Sequence, residues 1–259
     1  SHEFHRAIIK NNKALTYEDF EVSRHKKIGR KLPYSQSLTD LWDLYDLLLI
    51  ERKDRSPLQL NFPERVINTD VDDNVLDITN VKKNASNQLV EELMILANIS
   101  AAETIKNYGI ESFFRIHPAP SNEKIKPFSN LKGAESSITK NRRKITSANL
   151  NEFINAAKSV DEREIYQQEI IKLLEQARYS TKNEGHFGLN LKSYTHFTSP
   201  IRRYADIIIH RLIISFTINQ HSMAKTKKSI DLGEICDHIS FTERRSAEAE
   251  RDTTRRYLA

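Results

Sequence analysis

The residues with the clearest chemical potential lie in the segment THFTSPIRRYADIIIHRLI, which runs from 195 to 213. Thr198 and Ser199 are good helix N-cap residues and Pro200 suits the first helical position, so this spacing predicts a helix over 200–220. Arg202 and Arg203 would then lie in its first turn. There the helix dipole disfavours positive charge, by about 0.3–1 kcal/mol for each arginine.

Two interpretations explain this pair of arginines. In the first, Asp206 compensates them locally, since it lies four residues after Arg202 and three after Arg203. In the second, free backbone N–H groups, the hydroxyls of Thr198 and Ser199 and two guanidinium groups surround one phosphate. The residues alone leave both interpretations open.

A polar stripe interrupts the apolar run LVEELMIL in a second predicted helix. Glu91 and Glu92 are adjacent and point about 100° apart on a helix, so they cannot share one direction. Glu91 and Asn98 are seven residues apart and share a face. This stripe indicates either the wall of a cleft or a partly exposed helix.

Two other charged groups have ordinary explanations. The first is a cluster of aspartates at 70, 72, 73 and 77. Carboxylates in this density can attract a hard divalent cation, but Asp-Asp-Asn at 72–74 is also typical of a hairpin turn. The basic run KNRRK at 140–144 predicts a solvated loop that can add a phosphate contact.

Helical periodicity dominates the elements that must position these groups. The predicted helices are 37–51, 84–107, 150–160, 162–179, 200–220 and a charged helix at 241–259. The predicted strands are 65–67 and 75–78 around the aspartate-rich turn, 113–117 before two prolines, and 186–191. The sequence therefore predicts an α/β (α+β) fold that is predominantly helical, with a few antiparallel strands.

Composition restricts the class of protein. The chain has 259 residues, 38% hydrophobic and 29% charged, which is ordinary for a soluble globular protein, and no apolar run is long enough to span a membrane. Its one cysteine, Cys236, excludes an internal disulfide and a cysteine-based zinc cluster, and fits a reducing cytoplasm. The net charge of +5 is a mild bias towards anionic partners. The sequence has no dinucleotide-binding or P-loop glycine motif.

Five blocks, in order along the chain, resemble the RNB-family exoribonucleases, the ribonuclease R branch more than the ribonuclease II branch. They are KALTYEDF, LVEELMILANISAAE, FFRIHPAPS, GHFGLNLKSYTHFTSPIRRYADIIIHRLI and ERRSAEAERDTTRRYLA. The resemblance covers nearly the whole chain. It implies processive hydrolysis of single-stranded RNA from the 3′ end to nucleoside monophosphates, at a Mg²⁺ site built from aspartates.

The resemblance also implies roles for individual residues. A catalytic set would comprise Arg202, which clamps a phosphate near the scissile bond, Tyr17, which lies beside the terminal nucleotide, and Glu250, which lines the same pocket. Glu91 with Tyr17 would favour RNA over DNA, since a carboxylate can accept a hydrogen bond from a 2′-hydroxyl. Weaker substrate-binding assignments carry over to Arg203, Thr198, Ser199, His117 and Arg115.

The family's aspartate cluster lies upstream of the Thr-Tyr segment, and the aspartates at 70–77 lie downstream and do not match it. We therefore expect residues 1–259 to be the C-terminal part of an RNB catalytic domain. The N-terminal barrels, the aspartate-bearing half and the S1 domain would be absent. The Mg²⁺ ligands are expected in that missing half, and none in this chain.

We expect this chain to be inactive alone, with single-stranded RNA and the missing half of the domain as its partners. One alternative is a non-catalytic RNA-binding remnant of an exoribonuclease. Another is an unrelated helical module that binds phosphate.

Overall fold

The computed structural model describes residues 1–25, 35–62, 64–72, 74–81, 83–129, 145–218 and 231–258. The chain divides into two compact units. Unit 1 comprises Ser1–Arg52, Phe62–Ala97 and Glu243–Ala259, and unit 2 comprises Lys53–Asn61 and Asn98–Thr242. Within the described ranges, no helix combines the length and the apolar character that a membrane span requires.

Helices predominate, and the strands form two antiparallel pairs, which confirms the predicted fold class. The elements up to residue 129 are α1 (Tyr17–His25), α2 (Ser35–Arg55), β1 (Glu64–Thr69), β2 (Val75–Val81), α3 (Ala85–Asn107), β3 (Phe114–Ile116) and α4 (Asn122–Ser129). Those from 145 onwards are α5 (Ser147–Asn155), α6 (Val160–Leu173), β4 (Arg178–Ser180), α7 (Tyr204–Ile213) with a π-helical turn at Ile214–Ile218, and α8 (Leu232–Leu258).

The core of unit 1 forms where α1, α2 and α3 pack together. Helix α2 buries Leu38, Trp42, Tyr45 and Leu48, because residues three and four apart share one helix face. The Trp42 ring stacks on Phe20 at a centroid distance of 4.4 Å. Its indole Nε1 donates to the Ser23 hydroxyl at 2.9 Å. The predicted helix at 37–51 is thus confirmed and extends further at both ends.

The aspartate-rich segment is a hairpin turn. Strands β1 and β2 pair antiparallel, with Ile67 opposite Ile78. Asp70 Oδ1 accepts the backbone N–H groups of Asp72 and Asn74, both at 2.9 Å, and the hydrogen bonds from Asn74 lower the pKa of Asp70. This carboxylate therefore stabilises the turn, as the ordinary interpretation predicted. The aspartate at 73 lies outside the described residues.

The apolar core of unit 2 includes side chains of α4, α5 and α6. Helix α5 begins at Ser147 because Thr146 and Asn149 form a reciprocal capping box. Phe153 of α5 stacks on Tyr166 of α6 at 4.1 Å. The predicted helices at 150–160 and 162–179 therefore exist, but they span Ser147–Asn155 and Val160–Leu173.

Strand β3 pairs with a strand that the sequence did not predict. Strand β3 confirms the prediction at 113–117, and it pairs antiparallel with β4, where a helix was predicted to continue. The segment 186–191 is a turn with isolated bridges and not a strand, so that prediction was wrong. Asn190 there has φ 52°, which an extended strand does not allow.

Helix α7 begins at Tyr204, four residues later than predicted. The backbone N–H groups of Arg202 and Arg203 both donate to the Ser199 carbonyl, at 3.3 and 3.1 Å, and close a separate turn before the helix. Arg203 is the N-cap residue and makes no side-chain cap hydrogen bond. The predicted cap at 198–199 with Pro200 as first helical residue is therefore wrong. Residues 219–220 of the predicted helix lie outside the described ranges.

Candidate functional site

Asp206 organises the turn that precedes α7. Its side chain is completely buried, at 0% exposure. Oδ1 accepts the Ser199 backbone N–H at 2.7 Å and Arg203 Nη2 at 2.8 Å, and Oδ2 accepts Arg203 Nε at 2.9 Å. This two-pronged ion pair satisfies Arg203 inside the chain. Local compensation by Asp206 is therefore confirmed for Arg203. That Arg203 also binds substrate stays a prediction.

Arg202 has a different environment. The residue is exposed, and among the described residues its guanidinium makes no hydrogen bond or ion pair. Thr198 and Ser199 are half-buried beside it in sequence, with the Thr198 hydroxyl 3.5 Å from Arg203 Nη2. Of the two guanidinium groups in the phosphate interpretation, only that of Arg202 therefore remains available to bind a phosphate.

A half-buried histidine, His196, lies just before this turn and is close enough to three arginines to feel their charge. His196 Nδ1 lies 2.6 Å from the Tyr179 hydroxyl. Burial lowers the pKa of His196 to about 2, with further lowering by the charges of Arg203, Arg115 and Arg202. The imidazole is therefore neutral, and the three arginines create a field that favours an anion.

The segment that leads to the turn is held by hydrogen bonds within unit 2. The Phe197 backbone N–H donates to Asn98 Oδ1 at 2.8 Å, and the Thr195 hydroxyl donates to the Phe113 carbonyl at 3.1 Å. The Phe197 ring stacks on His210 at 4.0 Å. Because these groups fix both ends of the segment, the turn with Arg202 has a rigid base.

Arg115 lies in strand β3, and His117 is the first residue after that strand. The Arg115 guanidinium lies over the Tyr179 ring, 4.9 Å from its centroid. His117 is buried, its Nδ1 accepts the Gly188 N–H at 3.1 Å, and burial lowers its pKa. In this structure His117 anchors the loop around Gly188. Its role in substrate binding, like that of Arg115, stays a prediction.

In unit 1, Tyr17 is the first residue of α1 and its side chain is 45% exposed. The helix begins there because the Asp19 N–H donates to the Thr16 hydroxyl at 3.0 Å. An apolar groove of about 520 Å³ adjoins it, lined by residues that include Leu15, Phe20, Leu38, Leu41 and Leu93. Tyr17 is thus available for stacking, as its predicted role requires.

The paired glutamates of α3 have different exposures. Glu92 is buried, at 3% exposure, whereas the Glu91 side chain is 41% exposed. Arg52 Nη1 contacts Oε1 of both, with a distance of 3.2 Å to Glu91. The partly exposed helix is therefore the interpretation that fits Glu91. Among the described residues, its Oε2 makes no hydrogen bond.

Glu250 lies on the charged part of α8 in unit 1 and is exposed. Its carboxylate forms no ion pair with any described residue. Tyr17, Glu91 and Glu250 belong to unit 1, and the remaining candidate residues belong to unit 2. Within unit 2, the turn brings together Thr198, Ser199, Arg202 and Arg203.

The described residues do not fit a Mg²⁺ ion. Within the ranges given above, no group of three or more His, Cys, Asp or Glu side chains is arranged to hold a metal. Asp70 is occupied by the turn at 2.9 Å.

Sequence reasoning missed Arg52 and the Tyr179–His196 pair. Arg52 lies four residues after Leu48 and seven after Tyr45, so it continues the buried face of α2. A cation on an apolar face needs a buried anion, and this signal was available in the sequence. The Tyr179–His196 pair depends on a non-local contact, which helical periodicity does not reveal.

Comparison with known proteins gives a consistent result. The family model of the RNB domain matches residues 1–219. Ribonuclease R of Escherichia coli (strain K12) is 30% identical over 265 aligned residues, which cover 97% of this chain and 32% of that protein. The chain thus spans about a third of the length of this curated relative.

Two solved structures have similar folds. The Mycoplasma genitalium RNase R in complex with ribose methylated single-stranded RNA aligns with a TM-score of 0.81 and 26% identity, over 93% of this chain and 39% of that one. Yeast Ssd1, described as a pseudonuclease, aligns with a TM-score of 0.58 and 21% identity, over 87% of this chain and 28% of that one. The second similarity concerns the fold alone.

Proposed function

This chain belongs to the RNB-domain family, and on that premise we propose that it is part of a 3′-to-5′ exoribonuclease that degrades single-stranded RNA to nucleoside monophosphates. The resemblance seen in five sequence blocks is confirmed by the family match and by the similarity to ribonuclease R. An unrelated phosphate-binding module is therefore excluded. RNA as the substrate is supported by the single-stranded RNA in the Mycoplasma genitalium structure.

The observation that carries this proposal is the contrast between Arg202 and Arg203. Arg203 is neutralised by the buried Asp206, whereas the Arg202 guanidinium is exposed and free of partners among the described residues. A guanidinium on a rigid turn can bind two phosphate oxygens at once. We assign Arg202 to a backbone phosphate near the scissile bond, and Arg203 with Thr198 and Ser199 to its support.

In this proposal, the candidate residues of unit 1 contact the base and the sugar of the terminal nucleotide. Tyr17 stacks on the terminal nucleotide, Glu91 accepts a hydrogen bond from a 2′-hydroxyl, and Glu250 lines the pocket. Their exposure supports these roles, as does the absence of an ion pair at Glu250 among the described residues. Arg115 and His117 are secondary substrate-side candidates.

Hydrolysis of a phosphodiester in this class uses a metal ion to activate water and to stabilise the leaving oxygen. The described residues do not fit such an ion, so we propose that its ligands come from the aspartate-bearing half of an RNB domain. Residues 1–259 then act as the C-terminal part of that domain, and this chain is inactive without the other half. Its cytoplasmic location stays a prediction.

The test uses 5′-labelled single-stranded RNA, Mg²⁺ and the purified chain. We expect binding without shortening, and binding about tenfold weaker in Arg202→Ala, since a hydrogen bond to a charged group contributes about 1.5–3 kcal/mol. Arg211→Ala is the matched control, because Arg211 is also exposed and lies on the following helix. Equal affinities in both variants would reject the phosphate role. A ladder that shortens from the 3′ end would instead show that the chain is active alone.

A second candidate function is RNA binding without catalysis. The fold similarity to a pseudonuclease means that this architecture alone does not establish hydrolysis. Mixing the chain with the aspartate-bearing half of a ribonuclease R separates the two functions. A 3′-to-5′ ladder that requires both polypeptides supports the enzyme. Bound RNA of unchanged length supports the non-catalytic protein.

A further inference from the structure

Arg52 occupies a position between two carboxylates of unlike exposure. Its side chain is 23% exposed and extends from the last residues of α2 to α3. One nitrogen, Nη1, contacts both Glu91 Oε1 and Glu92 Oε1. Three charges of a single cluster therefore meet at one guanidinium nitrogen.

The two carboxylates differ in what they need from Arg52. Glu92 is 3% exposed, and a buried carboxylate without a cation is costly, so Glu92 fixes the guanidinium in place. Glu91 is 41% exposed, and its Oε1 lies 3.2 Å from the same nitrogen, Nη1. The exposed glutamate therefore shares a guanidinium that the buried glutamate holds.

This geometry prepares Glu91 for one type of ligand group. Its Oε1 is tied to Arg52, and its Oε2 has no partner among the described residues. An ionised carboxylate only accepts hydrogen bonds, so a hydroxyl suits Oε2 and another acceptor does not. Fixing one oxygen also reduces the rotamer entropy that binding would otherwise remove.

We propose that Arg52 is a positioning residue for sugar recognition, which holds Glu91 so that Oε2 accepts a hydrogen bond from a ribose hydroxyl. This inference rests on the proposed function, because it assumes that Glu91 meets the sugar of bound RNA. Arg52 does not touch the substrate. It acts through Glu91, and its own position is fixed by its contact with the buried Glu92.

The test measures sugar discrimination rather than affinity alone. The probes are a single-stranded RNA and the same oligonucleotide with 2′-deoxyribose in its last three nucleotides. The readout is the dissociation constant of the deoxyribose probe divided by that of the RNA. We expect Arg52→Gln to lower this ratio about tenfold, the factor that one hydrogen bond to a charged group can supply. The affinity for the deoxyribose probe should stay unchanged. Glu91→Gln should lower the ratio similarly.

A matched control separates positioning from general damage. Arg24 also lies in unit 1, but its ion pair is with Asp46, at 3.5 Å, and not with Glu91. Arg24→Gln should keep the wild-type ratio. Arg52→Lys restores the charge and should recover part of the discrimination that Arg52→Gln removes.

A variant that removes the buried pair together guards against failure to fold. Arg52→Met combined with Glu92→Leu replaces both members of the ion pair by apolar side chains, and such replacements are often tolerated. We expect it to fold and still to lose discrimination. If wild type prefers ribose and this double variant keeps the full preference, the role of Arg52 is wrong and the proposed function stands. If the wild-type chain binds no RNA, the proposed function is wrong. If it binds RNA but does not prefer ribose, Glu91 does not recognise the sugar, and the role of Arg52 is wrong with it.

Discussion

The two adjacent arginines at 202 and 203 differ in their partners. Arg203 forms an ion pair with Asp206, and Arg202 forms none with any described residue. The buried carboxylate binds the Arg203 fork and the Ser199 N–H together, all at 2.9 Å or less. It thereby satisfies the donors that would otherwise attract an external anion. Arg202 is exposed and has no such partner among the described residues, and its phosphate-binding role stays a prediction.

Replacing Asp206 tests this arrangement. We expect Asp206→Asn to reduce the free energy of unfolding by about 3–5 kcal/mol, the usual cost of breaking a buried ion pair from one side. The control is Asp237→Asn, since Asp237 is exposed. Urea unfolding followed by circular dichroism measures both. Equal small losses would mean that Arg203 finds another partner.

At the scale of elements, the loop at 183–192 shapes unit 2 beside His117. Gly185 has φ +76°, and a Cβ there would lie 2.9 Å from the Leu191 carbonyl oxygen. Gly109 has a similar φ of +62°, but no atom lies within 4 Å of its Cβ position. The two glycines therefore share the backbone requirement and differ in the available space.

Alanine at these two glycines should give different losses. Gly109→Ala should cost about 1–2 kcal/mol, the strain of a left-handed residue with a side chain. Gly185→Ala should cost a further 1–3 kcal/mol or so, because a backbone oxygen cannot move aside cheaply. Thermal unfolding of the two variants gives the comparison. A cost for Gly185→Ala no greater than that for Gly109→Ala would contradict the close approach.

Local patterns predicted some elements well and others poorly. Helix α2 was predictable because Leu38, Trp42 and Tyr45 repeat on one face, and the hairpin because Asp-Asp-Asn at 72–74 is typical of a turn. Strand β4 was not, since its three residues follow a strong helical pattern and gain their strand partner from β3. The start of α7 moved to Tyr204 because Arg202 and Arg203 donate to the Ser199 carbonyl and close an earlier turn.

The candidate site was predictable in a similar, uneven way. The position of Arg202 near a helix start indicated an anion, whereas the family resemblance implied the role of Glu91, and both roles stay predictions. The spacing of these residues did not reveal that Arg203 is neutralised by a buried carboxylate or that Arg52 holds Glu91. Both facts depend on burial and on side-chain geometry.

At the scale of the whole molecule, two half-buried histidines, His186 and His196, should make stability depend on pH. Burial is the main cause that lowers the pKa of His186 to about 3 and of His196 to about 2. The unfolded chain binds protons at these sites below about pH 6.5 and the folded chain does not. Stability should therefore fall as the pH drops from about 6.5 towards 3.

We expect each of these histidines to remove about 1.6 kcal/mol of unfolding free energy between pH 6.5 and pH 5. Urea midpoints at the two pH values measure the total. His186→Asn should reduce the loss by one histidine's share, since an amide oxygen can accept the Leu189 N–H that His186 Nδ1 now accepts at 3.1 Å. An unchanged pH dependence in that variant would contradict the assignment to His186.

A second global property is the dependence of the proposed RNA binding on salt concentration, which is set by the number of phosphate contacts. Each phosphate contact to a single strand adds about 0.7 to the slope of log affinity against log salt concentration. Arg202→Ala should reduce the slope by about this amount, and Arg211→Ala should not. Anisotropy titrations at four salt concentrations give both slopes. An identical slope in wild type and Arg202→Ala would remove Arg202 from the phosphate contacts.

The two units also carry different natural reporters. The single tryptophan, Trp42, stacks on Phe20 in unit 1, and the single cysteine, Cys236, is 2% exposed in unit 2 with its pKa raised to about 11 by burial. Fluorescence emission therefore reports on α1 and α2, and the rate of alkylation by a thiol reagent reports on α8. Because both residues are native, the opening of each unit can be timed separately in the wild-type protein.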